Sequence, residues 1–422
     1  MSFKLFDWYT WLISSFVSFF FLVILECSFF FCAGSGVTII NSYFWCDSVS
    51  FYLTMLSVLL WLSLSFFGAC ISGTSVVMIS VSVVFSILSY SCVNSFLFWV
   101  FYELSILSLL LLIICESPYS ERYVATWYLA GYVVVTSLPM LVCILYLSFD
   151  QGSFNLNEWC LGLDYDTLVF IFLSILFITK IPLLPFHVWL PIVHAEASSI
   201  VSVCLSGYVM KLGILGSFRF CSWILPSYVF SFFYSSILLI FCASFFLGAC
   251  RELDGKRWLA LMSLCHITIP VVCFCVGLFE SSWVSFFYCL GHGLSAAVMF
   301  ILLWVLYDIT GSRNWFIVKV GLSGSLLFRL FTGACLCTVA SLPPTINFFS
   351  EVLVVCWGGL YSVILVFLLL CYLFMGGLVP VFLLGCLLTR HYSVKIGGGF
   401  VYGGFCSISF LVFWAFFLFV VC

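Results

Sequence analysis

Continuous apolar runs follow one another along this chain from residue 11 to the last residue, each close to the ~20 residues that a helix needs to cross a bilayer. Hydrocarbon cannot satisfy backbone amides, so a spanning chain must form helices or a closed barrel. Barrel strands alternate apolar and polar residues, whereas these runs are apolar throughout. Only 7% of the 422 residues are charged, against roughly 25% in soluble domains. The sequence therefore predicts an all-α membrane protein.

The apolar windows predict thirteen membrane-spanning helices, with boundaries that are loose by several residues. The windows cover residues 11–33, 52–71, 74–93, 94–116, 123–148, 167–190, 196–219, 226–250, 258–279, 282–307, 325–357, 360–388 and 398–421. Two windows each contain a pair of closely spaced prolines, Pro182 with Pro185 and Pro343 with Pro344. Because proline removes a helical hydrogen bond, and broken helices in membranes normally line a cavity, we expect two discontinuous helices.

Basic residues between the windows collect on one side of a thirteen-helix arrangement. They are Lys4, Arg122, Arg251, Lys256, Arg257, Arg313, Lys319, Arg390 and Lys395, with Arg219 alone near the other side. Since basic residues accumulate on the side that is not translocated, the N-terminus is expected inside and the C-terminus outside. No presequence or cleavage site precedes the first window, so no cleaved signal is expected.

The 23 cysteines lie mostly inside the apolar windows and lack the spacing of a zinc or iron–sulfur site. We interpret them as small core residues, and no metal site is expected. The 51 phenylalanines, with many Cys, Val and Leu, suggest T-rich codons and so an organelle-encoded gene.

Six ionisable side chains lie deep within the windows. They are Glu103, Lys180, Lys211, His266, His292 and Glu351. No other charged residue lies between residues 48 and 115 around Glu103, and His266 follows Arg257 by nine residues, about 14 Å of helix. A charge at mid-membrane is costly, so each group needs a partner, a path for water or a changed protonation state.

Any one of these residues could be a structural polar group, but the set matches the needs of a proton relay. Lysine and histidine can gain and lose protons within a protein, and carboxylates can exchange with them through water. Sodium transport requires oxygen ligands instead, and lysine is a poor ligand. We therefore favour protons as the transported species. His187, His194 and Glu196 lie close to a window end, where a structural role and a relay role both remain open.

Several short motifs resemble a known family. Residues 180–197, KIPLLPFHVWLPIVHAEA, followed by KLGILG at 211–216, resemble the antiporter-like subunits of respiratory complex I. Within them the similarity is greatest to chain 4 of NADH–ubiquinone oxidoreductase, which has a His-x-Glu-Ala element after Trp-Leu-Pro. Further matching pieces are FYE at 101–103, ER at 121–122, SLP at 137–139, DGKR at 254–257, SLCH at 263–266, GHGLS at 291–295 and LPPTIN at 342–347 before Glu351.

The resemblance implies an antiporter-like fold of two inverted five-helix repeats, each with one broken helix. The segments would be N-terminal helices at 1–93, a first half-channel at 94–219, a second half-channel at 220–357 and C-terminal helices at 358–422. The implied roles are a coupled pair at the channel entrance for Glu103 and Lys180, a relay toward the centre for Lys211 and His266, and an exit half for His292 and Glu351. A changing Glu103–Lys180 contact would set the proton affinity of Lys180.

The same resemblance implies a proton-translocating membrane-arm subunit of the mitochondrial inner membrane, surrounded by lipid and beside the antiporter-like chains 2 and 5. No Gly-rich phosphate loop or cysteine ligand set is present. This chain is therefore expected to hold no cofactor and no redox site and to bind no nucleic acid, with NADH, FMN, iron–sulfur clusters and ubiquinone on other subunits. Two alternatives remain: a subunit of an Mrp-type cation/proton antiporter, and a structural membrane scaffold.

The chain departs from the family pattern at three points. The family has about fourteen spans, so one N-terminal helix is expected to be missing here, with fourteen helices as the alternative. Cys265 replaces a usual serine before the histidine, and Ser198 replaces the usual proline after Glu-Ala. The two substitutions concern local geometry around the motifs.

Overall fold

The computed structural model describes residues 37–41, 43–67, 71–159, 167–222, 224–276, 282–322, 326–389 and 402–421. The window predicted at 11–33 and the basic residues Lys4, Arg390 and Lys395 lie outside the described residues.

The described residues form a helical bundle with one short β-hairpin at its N-terminal end. The strands are β1 (Val37–Asn41) and β2 (Phe44–Asp47). The helices are α1 (Ser48–Ser65), α2 (Gly73–Ser91), α3 (Ser95–Glu116), α4 (Arg122–Leu129), α5 (Ser137–Gln151), α6 (Thr167–Lys180), α7 (Trp189–Glu196), α8 (Ser199–Cys204), α9 (Met210–Cys221), α10 (Phe232–Arg251), α11 (Gly255–His266), α12 (Thr268–Val276), α13 (Ser282–Thr310), α14 (Trp315–Leu322), α15 (Leu326–Val339), α16 (Ile346–Tyr361), α17 (Val363–Leu388) and α18 (Tyr402–Val421). Short π-helical stretches at Ala130–Val135, Leu205–Val209 and Leu225–Val229 join or precede helices.

The membrane-spanning character of the fold is confirmed. In the described part of the chain, nine continuous helical segments, some of which join two of these helices, are long and apolar enough to cross a bilayer, and four more apolar segments have 10–17 residues. The polar break before Asn94 separates α2 from α3, because the Asn94 side chain accepts hydrogen bonds from the backbone N–H groups of Phe96 and Leu97. The predicted boundary at this point is therefore confirmed.

Both predicted helix breaks are present. Helix α6 ends at Lys180 and α7 begins at Trp189, while α15 ends at Val339 and α16 begins at Ile346. The 14 residues of α6 extend over about 21 Å, short of the ~30 Å hydrocarbon core, so α6 and α7 together form one interrupted span. Freed carbonyls near the first break accept side-chain donors: Trp189 Nε1 lies 3.1 Å from the Thr179 oxygen.

Three spans occupy the interior of the bundle. In Ser199–Cys221 and Trp283–Thr310, 94% of the most apolar window is buried, and in Gly255–Val276 the share is 89%. The corresponding share is only 33% in Phe232–Arg251 and Val363–Leu388, which lie at the periphery. Interior spans are shielded from lipid on every side, and they carry Lys211, His266 and His292.

The β-hairpin is joined to the bundle by an ion pair at one end of α9. Arg219 Nη1 lies 2.7 Å from Asp47 Oδ2, and both side chains are largely buried. Asp47 also caps α1, because its carboxylate accepts a hydrogen bond from the Ser50 N–H at 2.8 Å. Arg219, the basic residue expected alone near the other side of the membrane, thus has an acidic partner.

Replacing Asp47 with asparagine is expected to lower the free energy of unfolding by about 1 to 2 kcal/mol, because it removes a partly buried ion pair. Burial alone would raise the pKa of Asp47, but the Arg219 charge and the hydrogen bonds outweigh burial and hold the pKa below its usual value. A depressed folded pKa stabilises the fold above the unfolded carboxyl value of about 4, and this stabilisation is lost as pH falls through the folded pKa. Denaturation in detergent between pH 3 and 7 measures the loss.

The matched control for this prediction is Asp150→Asn at an exposed carboxylate near the end of α5. It should leave both the unfolding free energy and its pH dependence close to those of the unchanged chain. Equal behaviour of the two variants would contradict a stabilising role for the Asp47–Arg219 pair.

Candidate functional site

All six ionisable residues singled out from the sequence are buried within the bundle. Their exposed fractions are 7% for Glu103, 2% for Lys180, 0% for Lys211, 3% for His266, 2% for His292 and 5% for Glu351. Since burying a charge without a partner is costly, the contacts of each group determine what it can do.

Glu103 and Lys180 form a buried ion pair between α3 and the last residue of α6. Lys180 Nζ lies 3.4 Å from Glu103 Oε1 and donates to the Val133 carbonyl at 3.2 Å. It also lies 4.3 Å from the centre of the Tyr102 ring. Val133 belongs to the π-helical stretch Ala130–Val135. The ammonium therefore has an anion, a carbonyl and an aromatic face around it, although residues 103 and 180 are far apart in sequence.

Lys211 is the fully buried second residue of α9, the helix that follows the π-helical stretch Leu205–Val209. Its Nζ donates to the Ser206 carbonyl and lies 3.2 Å from His292 Nδ1. Gly213 lets this helix approach the first break: a Cβ there would lie 2.9 Å from Ile181 Cγ1 and 3.4 Å from the Lys180 carbonyl carbon. Because Gly213 has no side chain, α9 contacts the end of α6 directly. No hydrogen bond joins Lys180 to Lys211 in the described part of the chain.

His292 and His266 extend the cluster from Lys211 toward the second break. Their ring centroids are 5.4 Å apart at an angle of 76°. Within the described residues His292 Nε2 has no hydrogen-bond partner, while Nδ1 faces Lys211. His292 Nδ1 is thus occupied by the lysine, and Nε2 is available for a second proton-transfer partner.

Glu351 lies beyond the two histidines, and its carboxylate is linked by hydrogen bonds to Tyr288 and, through Tyr288, to Tyr372. Its Oε1 accepts from Ser341 Oγ at 3.0 Å and from Tyr288 Oη at 3.4 Å. Tyr288 Oη lies 3.2 Å from Tyr372 Oη. The Tyr288 ring is parallel to that of His292, with centroids 6.4 Å apart. The two tyrosine hydroxyls therefore form a hydrogen-bonded chain to the carboxylate, and the Tyr288 ring lies beside His292.

Sequence reasoning missed both tyrosines. Tyr288 precedes His292 by four residues and so shares its helix face, which is a signal that the sequence contains. Tyr372 carries no such signal, because it lies in a peripheral helix and is one of 20 tyrosines.

The prolines and the three weaker candidates make no hydrogen bond to this line among the described residues. Pro182, Pro343 and Pro344 lie in the two breaks, next to Lys180 and before Glu351. His194 is fully buried and stacked on Phe300 at 4.9 Å, and neither ring nitrogen has a hydrogen-bond partner among the described residues.

The remaining two candidates have structural contacts. The His187 ring lies 5.0 Å from that of Phe245. The Glu196 backbone carbonyl accepts a hydrogen bond from Ser117 Oγ. These contacts do not join either residue to the six-residue set.

Lys256 was expected among the basic residues between the windows, but it lies in the first turn of α11. The structure buries it, with 3% exposed, and its Nζ donates to the Ala197 carbonyl at 2.7 Å. Among the described residues, no group of three or more His, Cys, Asp or Glu side chains could hold a metal ion.

Comparisons with known proteins extend these observations. The profile of the family described as NADH:quinone oxidoreductase/Mrp antiporter, TM, matches residues 92–376. NADH-ubiquinone oxidoreductase chain 4 of Locusta migratoria is 31% identical over 294 residues, covering 66% of this chain and 64% of the relative. The chain 4 of Ceratitis capitata is 30% identical over 298 residues, covering 68% and 65% respectively. The match thus spans slightly under two thirds of the length of these relatives.

Two solved assemblies contain chains of the same fold. A chain of respiratory complex I from Thermus thermophilus with bound NADH superposes with a TM-score of 0.79 at 19% identity, covering 89% of this chain and 82% of that one. A chain of the Mrp complex from Dietzia sp. DQ12-45-1b gives a TM-score of 0.72 at 15% identity, covering 85% and 68%. The predicted antiporter-like fold is therefore confirmed.

Proposed function

Because this chain belongs to the NADH:quinone oxidoreductase/Mrp antiporter transmembrane family, we propose that it translocates protons as a membrane-arm subunit of respiratory NADH:ubiquinone oxidoreductase. The observation that carries the proposal is the buried line from Lys211 through His292 and Tyr288 to Glu351, with the Glu103–Lys180 pair beside it. The relatives that are about 30% identical carry the name of that enzyme's chain 4.

The Glu103–Lys180 pair acts as the loading site in this mechanism. The carboxylate 3.4 Å from Lys180 and the Val133 carbonyl stabilise the protonated ammonium in a medium of low dielectric. When Glu103 moves away, the charge of Lys180 loses its main compensation and the amine releases its proton inward. At least one water must bridge the interval to Lys211, because no hydrogen bond joins the two lysines among the described residues.

The Lys211–Glu351 line acts as the relay and exit. Lys211 passes a proton directly to His292 across 3.2 Å, and imidazole can accept on one nitrogen and release from the other. His266 and Tyr288 lie beside His292, and Tyr372 lies beside both His266 and Tyr288. The Glu351 carboxylate receives the proton next to the second helix break, from which it leaves the bundle.

Protons fit this line better than sodium ions. Two of the central groups are lysines, whose ammonium form repels a cation and whose neutral form is a weak ligand for hard metals. A lysine that exchanges charge with a histidine 3.2 Å away is suited to proton transfer.

The chain would lie in the mitochondrial inner membrane beside the antiporter-like chains 2 and 5, with NADH, FMN, iron–sulfur clusters and ubiquinone on other subunits and no redox centre of its own. Residues 94–219 would form the first half-channel and 220–357 the second, between N-terminal helices at 1–93 and C-terminal helices at 358–422.

Purification of the complex that contains this chain, followed by reconstitution in sealed vesicles, tests the function. We expect NADH with a quinone to drive acidification of the vesicle interior without added sodium. Sodium exchange driven by a pH gradient alone, without NADH, would instead identify an Mrp-type antiporter. If alanine variants at all six sites lost assembly while the residual enzyme pumped normally, the chain would be a scaffold.

A further inference from the structure

The C-terminal end of half-helix α7 is held by donors from three other segments. A helix leaves its last carbonyls without partners inside the helix, and an unpaired carbonyl is costly in a membrane protein. Here the carbonyl of Ala195 accepts from Arg313, that of Glu196 from Ser117 and that of Ala197 from Lys256. Three consecutive carbonyls are thus satisfied by the segment before α14, the segment after α3 and the start of α11.

Two of these donors are cations that share one aromatic ring. Lys256 Nζ lies 4.9 Å and the Arg313 guanidinium carbon 4.5 Å from the centre of the Tyr119 ring. Asp254 offsets their charge, since its Oδ2 lies 3.3 Å from Arg313 Nη2. Positive charge at the C-terminal end of a helix is favourable because the aligned peptide dipoles leave that end negative.

Backbone contacts keep the two cation-bearing segments together. The Gly255 N–H donates to the Arg313 carbonyl at 3.0 Å, and the Trp315 N–H donates to the Leu253 carbonyl at 3.1 Å. A Cβ at Gly255 would lie 2.6 Å from Leu303 Cδ2, so a larger residue there would have to displace that side chain. The donors are therefore fixed relative to α11 and α13, the helices that carry His266 and His292.

The opposite end of α7 is attached to the loading site. Trp189, its first residue, donates from Nε1 to the Thr179 carbonyl at 3.1 Å, and Thr179 immediately precedes Lys180. Helix α7 has only eight residues, about 12 Å, so its two ends cannot move independently. A displacement at Ala197 is transmitted to the end of α6.

We propose that Lys256, Arg313 and Ser117 form a carbonyl clamp that positions Lys180 through α7. The clamp rests on the proposed function and adds positioning residues to it. The DGKR motif at 254–257 has no role in the relay itself. In this proposal its role is structural, because Asp254 and Lys256 hold the broken helix in place. The clamp itself carries no proton along the route.

The test compares Lys256→Leu with Lys256→Arg in the assembled, reconstituted enzyme. We expect Lys256→Leu to raise backbone hydrogen exchange in residues 189–197 about tenfold and to lower NADH-driven proton translocation per complex about tenfold. Lys256→Arg retains a cationic donor and should stay within about twofold of the unchanged enzyme in both measurements. Combining Lys256→Leu with Lys180→Ala should lower translocation no further than Lys180→Ala alone, because the clamp acts through Lys180.

Unchanged exchange and translocation in Lys256→Leu would overturn the clamp and leave the proposed function intact, provided that Lys180→Ala is inactive. An active Lys180→Ala enzyme would instead overturn the proposed function. If Lys256→Leu does not assemble, Ser117→Ala removes only the donor to Glu196. It should then raise exchange in the same segment about threefold, and unchanged exchange there would also refute the clamp.

Discussion

Replacing Lys180 with alanine is expected to reduce NADH-driven proton translocation by roughly two orders of magnitude, the usual cost of losing a positioned proton-transfer group. The reason is geometric. Lys180 carries the one ammonium within 3.4 Å of Glu103 in the described structure, and alanine leaves the carboxylate with no group to load. Translocation is measured as vesicle acidification per assembled complex, with complex content taken from native electrophoresis.

The controls separate a lost proton carrier from a damaged fold. Lys319→Ala removes a half-buried lysine in the last turn of α14, where it donates to Thr389 at 2.6 Å, and should leave translocation unchanged. Glu103→Gln keeps the shape of the side chain and removes its charge, so its effect should be large but smaller than that of Lys180→Ala. The double variant should be close to the Lys180→Ala value, since both residues act as one unit.

Assembly must be measured beside activity, because breaking a buried ion pair leaves a charge without a partner and costs about 3 to 5 kcal/mol. In the Lys180→Ala variant Glu103 can take up a proton to avoid that cost, and the fold is then retained. Normal translocation by an assembled Lys180→Ala enzyme would contradict the loading role of the pair.

The fold was predictable from the sequence because the physics that governs it is local. Twenty-residue apolar runs and internal prolines dictate helices and breaks without reference to distant residues, and both appear where expected at Pro182 and Pro344. The β-hairpin at Val37–Asp47 gave no such signal. Its strands are short, and the hairpin is joined to the bundle through Arg219, which lies far away in the sequence.

The sequence predicted which ionisable residues belong to the site but not which of them contact one another. Ionisable residues in apolar runs are conspicuous, so Lys211 and His292 could be selected, yet their 3.2 Å contact joins residues 81 positions apart. Tyr288 and Tyr372 were not predicted as members of the site, because a tyrosine in an apolar helix cannot be told from an ordinary large core side chain. Lys256 was assigned to a loop because burial at a helix end depends on what covers that end, here Tyr119 and the end of α7.

The second large effect is expected at Lys211, which is fully buried and makes the direct contact between the lysine and histidine parts of the line. Lys211→Met keeps most of the side-chain volume and apolar contacts but cannot bind a proton. The relay to His292 then has no donor. We expect translocation per assembled complex to fall by about 10² or more. Vesicle acidification driven by NADH measures it.

Ser206→Ala is the matched control for this substitution. It removes a neighbouring hydroxyl that donates to the Ser202 carbonyl at 2.9 Å, while the Ser206 backbone carbonyl that accepts from Lys211 stays in place. Translocation should be nearly unchanged. The contrast matters because both substitutions alter the same buried turn, and only one removes a proton carrier. Equal losses in the two variants would mean that packing around the π-helical stretch, rather than proton transfer from Lys211, limits the rate.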